Sequence, residues 1–256
     1  MKKKTTYLLY ILIINLIIPL QFTAQITELF FSEYAEGSSN NKYLEIYNGT
    51  NSSISLDNYA FPNVSNAPTT PGQYEYWNTF PAGATIASGD VYVIAHPSAD
   101  PAILAHADHT FSYLSNGDDG FALVSGGTHN DTDGDGNIDA GEMVGFALLD
   151  HIGNWAGDPG TGWDVAGVAN ATQNHTLVRK SSVTGPNPCW DQTCGNSSAG
   201  TNASDSEWIV YPINTWTYLG SHSISSPLVG TWKLSPNAGA LGCLLYTSPS
   251  PRDSDS

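Results

Sequence analysis

Positive charge is the scarcest property of this 256-residue chain: eight Lys and Arg stand against 24 Asp and Glu. Between residues 25 and 241 only Lys42, Arg179, Lys180 and Lys233 oppose 22 carboxylates, a net charge of about −18. Such a surface repels phosphates, which nucleic-acid-binding proteins neutralise with Lys and Arg, so no nucleic-acid partner is expected. Cysteine is almost as rare. Beyond Cys243 there are only Cys189 and Cys194, a spacing that excludes a catalytic C-x-x-C. A zinc site would need two more ligands, and the nearest histidine in sequence is His175. An oxidising compartment favours a local disulfide between the two. No stretch sustains a helical period, and no apolar run between Gln25 and Leu241 is long enough to cross a membrane. The catalytic templates are missing too: there is no G-x-S-x-G elbow, no H-E-x-x-H and no P-loop. His106 and His109, with Asp108 between them, are a weak metal pattern and read as a solvated loop.

Both ends of the chain read as something other than the main fold. Met1-Lys-Lys-Lys4, the apolar stretch from Tyr7 to Leu20 and the segment Phe22-Thr-Ala-Gln25 have the three regions of a secretory signal peptide. Residues 1–24 are therefore expected to be removed, giving a secreted, extracellular or cell-surface product with no membrane attachment. At the other end, Leu228-Val-Gly-Thr-Trp232 opens a new apolar pattern after the linker Ser223-Ile-Ser-Ser226. Residues 227–241 read as the start of a truncated second domain. The run from Cys243 to Asp253 translates a base string similar to the adapter of transposon-based sequencing libraries, so residues 242–256 are taken as read-through.

Residues 131–142, Asp-Thr-Asp-Gly-Asp-Gly-Asn-Ile-Asp-Ala-Gly-Glu, fit every position of the twelve-residue calcium-loop pattern D-x-[DN]-x-[DN]-G-x5-E. In that pattern Asp131, Asp133 and Asp135 supply side-chain oxygens and Asn137 its backbone carbonyl. Asp139 supplies an oxygen directly or through water, Glu142 a bidentate carboxylate, and Gly136 takes the sharp turn. Hard oxygen donors in this number suit Ca2+. Asp, Asn and Gly are also ordinary turn residues, but five carboxylates in twelve positions repel one another unless a cation neutralises them. The flanks, Phe121-Ala-Leu-Val124 and Val144-Gly-Phe-Ala-Leu-Leu149, suit strands better than the helices that normally bracket such a loop. A lone loop grafted between strands is therefore expected, without a helix pair to open.

Short β-rich runs bounded by Gly, Pro, Asn and Ser recur along the chain: residues 26–34, 42–47, 90–95, 121–124, 145–149, 175–183, 207–211 and 215–220. In Lys42-Tyr-Leu-Glu-Ile-Tyr47, Leu44 and Ile46 alternate with Tyr43, Glu45 and Tyr47, the pattern of a half-buried strand. Roughly eight strands in about 200 residues fit an all-β sandwich large enough to bury a core.

Phe31-Ser-Glu-Tyr-Ala-Glu-Gly-Ser-Ser-Asn-Asn-Lys-Tyr-Leu-Glu-Ile-Tyr-Asn48, then Leu149-Asp-His-Ile-Gly153, His175-Thr-Leu-Val-Arg-Lys180, Ser206-Glu-Trp208 and Trp216-Thr-Tyr-Leu-Gly220, resemble the lamin-tail domain of secreted bacterial proteins, Bacteroidota among them. The resemblance covers about residues 26–222 and implies an immunoglobulin-like β-sandwich with loop insertions, acting as an accessory or adhesive module without catalysis. The calcium-type insertion and the Cys189/Cys194 pair depart from it. Glu33, Glu45, Asn48, Asn40 and Asn41 within the signature read as turn and edge-strand residues before they read as a ligand site, and Arg179 and Lys180 as partners of nearby carboxylates.

The reading is of a non-enzymatic, calcium-binding sandwich over residues 25–226, whose partners would be cell-surface or extracellular polymers. One alternative is the N-terminal part of a secreted nuclease, phosphatase or glycan-degrading enzyme with its catalytic domain missing. Another is a carbohydrate-binding module using the aromatics of Tyr74-Glu-Tyr-Trp77.

Overall fold

The computed structural model describes residues 27–114 and 116–225. The segments expected as a signal peptide, the start of a second domain and read-through lie outside the described residues. Fourteen strands follow in order: β1 (Phe30–Glu36), β2 (Lys42–Tyr47), β3 (Ile54–Ser55), β4 (Tyr59–Ala60), β5 (Asn63–Val64), β6 (Thr85–Ile86), β7 (Val91–Ala95), β8 (His109–Thr110), β9 (Gly120–Ser125), β10 (Thr128–His129), β11 (Met143–Val144), β12 (Ala147–Ile152), β13 (His175–Arg179) and β14 (Trp208–Pro212). One four-residue helix, α1 (Pro101–Leu104), is capped by Asp100, whose carboxylate accepts from the Ala102 amide.

One sheet has six strands in the order β14-β13-β1-β2-β7-β8, antiparallel except for the β7–β8 pair. The other has β12, β9 and β4 in sequence, with β5 also paired to β9. Phe31, Leu44, Ile46, Ile94 and Leu177 of the first sheet meet Phe121, Leu123 and Ile152 of the second, with Phe61 between β4 and β5, in one buried cluster. The β1–β2 turn needs Gly37, because a Cβ there would sit 2.5 Å from the Asn41 carbonyl oxygen.

Strand β2 is not half-buried, as its alternation suggests: all six of its residues are buried. Leu44 and Ile46 face the main core, while Tyr43 lies in a second cluster with Val93, Ile103 of α1 and Leu219. Thr215–Gly220, expected as a strand, forms no ladder. Asn214 turns the chain with φ +62°, and Trp216 and Leu219 then pack against that outer face. This segment covers the face that would otherwise meet water.

The two sheets are also tied by a buried ion pair. Arg179 on β13 donates from Nη1 to Asp150 of β12 at 3.1 Å and from Nη2 to Glu207 at 2.5 Å. Its guanidinium carbon lies 4.6 Å from the centre of the Trp208 ring. Asp150 Oδ2 also accepts the Phe31 amide of β1, and Oδ1 accepts the His151 and Asn187 amides, so each carboxylate oxygen is satisfied, as a desolvated ion requires. Lys180 departs from expectation. Its ammonium donates to the Ala203 and Ser206 carbonyls and to no carboxylate among the described residues.

Candidate metal-binding loop

The acidic loop joins β10 to β11, two antiparallel two-residue strands pairing Thr128 with Val144 and His129 with Met143. The loop is thus carried by a strand ribbon, as its flanks predict, with no helix on either side. Gly134, Gly136 and Gly141 all take positive φ, at 80°, 81° and 83°, so the turn expected at Gly136 is present in a backbone region that other residues enter at a cost.

Within the loop the carboxylates are oriented by backbone amides. Asp131 accepts from the Gly134 and Gly136 amides at 2.6 and 3.1 Å, Asp133 from Asp135, and Asp135 from Asn137. Glu142 is the buried member, and its two oxygens accept from the Thr132 and Asp139 amides at 2.7 and 3.0 Å. The Thr132 hydroxyl adds a third donor. These hydrogen bonds, led by the Thr132 hydroxyl, hold the Glu142 carboxyl down at about 2, so it is ionised at any ordinary pH. The Asp139 carboxyl is pushed the other way, first by desolvation and then by the charges of Asp135, Asp133, Glu142 and Asp131. A cation among these groups would relieve that repulsion.

Of the six expected ligands, Asp131, Asp133 and Asp135 each offer an oxygen within 4.8 Å of the others. Asp131 also lies within that reach of Glu142, in a group completed by His129. Asn137 donates its side-chain amide to Asp135, which leaves its backbone carbonyl for the role expected of it. Asp139 stands outside both compact groups and faces them through its charge. Oxygen donors of this kind and number fit Ca2+.

His129 and Tyr74 are the residues that sequence reasoning missed. His129 Nε2 lies 3.5 Å from a Glu142 oxygen. The only sequence signal for it is a position two residues before the pattern begins. The Tyr74 hydroxyl donates to the Asp139 carbonyl at 3.0 Å and accepts from the Met143 amide at 2.7 Å. Its ring is buried edge-on against Trp77 and Trp155. One phenol therefore anchors the loop to the outer face of the second sheet.

The other candidates resolve differently. Asn48 is a buried turn residue, accepting from the Thr50 amide and hydroxyl and donating to the Ser52 and Ile86 carbonyls. Glu33 and Glu45 do not protect an edge, since β1 and β2 are central strands. Both are buried, opposite one another across the ladder. Glu33 accepts from the Tyr43 hydroxyl at 2.5 Å, and Glu45 from Ser32 at 2.6 Å and the Gly220 amide at 2.6 Å. Burial pushes Glu33 up to about 8 and Glu45 to about 6. His106 and His109 do not join a metal-binding group among the described residues; His109 stacks edge-on to Phe61. Cys189 and Cys194 are joined in a disulfide.

Two antiparallel-rich sheets packed face to face, with inserted loops, define an immunoglobulin-like β-sandwich. Residues 23–138 match the family model of the Lamin Tail Domain, a non-enzymatic immunoglobulin-like module. The match ends inside the acidic loop, although β13, well beyond it, hydrogen-bonds directly to β1. No curated protein and no solved structure matches the chain.

Proposed function

We propose that this chain is a calcium-stabilised accessory module of an exported protein, serving surface attachment or the presentation of a neighbouring domain. The carrying observation is the loop 131–142, where three carboxylates lie within 4.8 Å of one another and a fourth is fixed by three donors. Asp131, Asp133, Asp135, the Asn137 carbonyl and Glu142 would hold the ion, with Asp139 directly or through water. Bound calcium would supply charge neutralisation and a rigid link between β10 and β11. No helix pair adjoins the loop, so binding would be read out as stability and not as opening of a groove. Without such coupling the affinity belongs in the extracellular range of ~10⁻⁴ to 10⁻³ M. The test is a thermal melt of the full chain in calcium and in chelator. At ten times the dissociation constant the linkage is about 1.4 kcal/mol, or roughly 3–6 °C for a domain of this size. Asp131→Ala with Asp133→Ala, both exposed, should abolish the shift. An equal shift in the variant overturns the proposal.

A further inference from the structure

Outside the loop, a cleft of about 690 Å³ carries chemistry of its own, and it lies within the size range of small-molecule sites. Its walls come from separate parts of the chain. Asn63 and Tyr76 are bridged across their backbones, Asn78 follows, and Phe111, Tyr113 and Asp119 belong to the stretch between β8 and β9.

Three properties of these walls select a ligand. The first is exposed aromatic surface. Tyr113 and Tyr76 are 74% and 55% exposed, and both line the same cleft, where their ring faces are available for stacking. Phe111 packs on the core ring of Phe61 at 5.2 Å and on Tyr113 at 5.6 Å, so Tyr113 rests on a fixed neighbour.

The second is a preset pair of amides. Asn78 Nδ2 donates to the Phe61 carbonyl at 3.0 Å and to Asn63 Oδ1 at 2.9 Å. With those bonds made, the side-chain Oδ1 of Asn78 and the Nδ2 group of Asn63 make no hydrogen bond among the described residues, while the Asn78 backbone carbonyl accepts the Phe61 amide. The pair therefore offers one acceptor and one donor side by side. Two vicinal hydroxyls, one donating and one accepting, complement that arrangement.

The third is the scarcity of positive charge among the cleft's described residues, where His96 is the one basic side chain besides Lys42. Lys42, the cleft's one Lys or Arg, is paired with Glu36 at 3.0 Å. Asp119 is buried and occupied by the Asn66 and Asn116 amides. In a chain of net charge −16, phosphates and anionic glycans are repelled. Rings with an apolar CH face and a hydroxyl edge remain.

We infer that this cleft binds a neutral carbohydrate, its ring stacked on Tyr113 and its hydroxyls held by the Asn63–Asn78 amide pair. The site shares Tyr76 with the Tyr74-Glu-Tyr-Trp77 run singled out in the sequence, but not that run's other two aromatics. Tyr74 is buried, and Trp77 packs against Tyr74 and Phe146 at 5.1 and 5.3 Å. The inference deepens the attachment reading by naming what is attached to. It needs no calcium, so calcium-linked melting and sugar binding succeed or fail separately.

The experiment prints neutral gluco-, manno- and N-acetylglucosamine oligosaccharides on an array beside heparin and polygalacturonate, and probes it with the full chain. The best neutral hit is then titrated by calorimetry. Tyr113→Ala and Asn78→Ala should each weaken binding at least tenfold. Tyr113→Ala, exposed, should melt as wild type does, while Trp77→Ala should keep binding. Array signal only on the anionic polymers, no signal at all, or affinity unchanged in a folded Tyr113→Ala protein would overturn the assignment.

Discussion

Raising the pH should destabilise this domain, chiefly through Glu33. The carboxyl is buried on β1 and receives the Tyr43 hydroxyl, with Glu45 facing it across the ladder. Desolvation, the largest cause, lifts its titration to about 8, and the Glu45 charge pushes in the same direction. In the unfolded chain an ordinary carboxyl titrates near 4.5, so between those values the folded state holds a proton that the unfolded state has released. The stability linked to Glu33 is thus full below about 4.5 and is lost as the pH climbs through about 8. The interval corresponds to roughly 5 kcal/mol, an upper figure that relaxation of the pocket would reduce. Glu33→Gln keeps an acceptor for Tyr43 and removes the titration. Glu45 and Asp150, raised to about 6, act in the same sense over a lower range. His151 and His222, lowered to about 4, act oppositely and lose stability as pH falls. These groups are common to wild type and variant, so the difference between the two reports Glu33 together with its charge coupling to Glu45. The assay is urea unfolding at fixed chelator concentration from pH 5 to 9. The variant should gain on wild type by a few kcal/mol over that interval. Two curves that stay parallel would refute the reasoning.

Arg179→Met should cost about 3–5 kcal/mol at neutral pH, because Asp150 would remain buried with no countercharge; urea unfolding checks this, and a cost below 1 kcal/mol contradicts it. Replacing Cys189 and Cys194 together by Ser should cost about 2 kcal/mol, since the disulfide closes only a short loop. A thermal melt of the reduced wild-type protein should reproduce that loss.

The parts of the fold written locally were legible. Residues 42–47 alternate as a strand and form one with those bounds, and the acidic loop stands out because its six proposed ligands lie within twelve positions. What was misread depends on partners far away in sequence. Nothing in Lys42–Tyr47 reveals that α1 and Trp216 will cover its second face, so a strand buried on both sides was read as half-exposed. Glu33 and Glu45 look like surface residues until Tyr43, Ser32 and the Gly220 amide are seen to satisfy them. Two-residue strands such as β3 and β6 are too short to carry a period. Tyr76 and Trp77 are neighbours in sequence with opposite fates, which only the packing of Tyr74 and Phe146 decides.

Calorimetric titration of the full chain with calcium is the most direct test of the central reading. One site with a dissociation constant of ~10⁻⁴ to 10⁻³ M is predicted, with its heat absent in the protein carrying Asp131→Ala and Asp133→Ala. No binding heat up to ~10 mM calcium, well above the predicted range, or the same isotherm in wild type and variant, would contradict it.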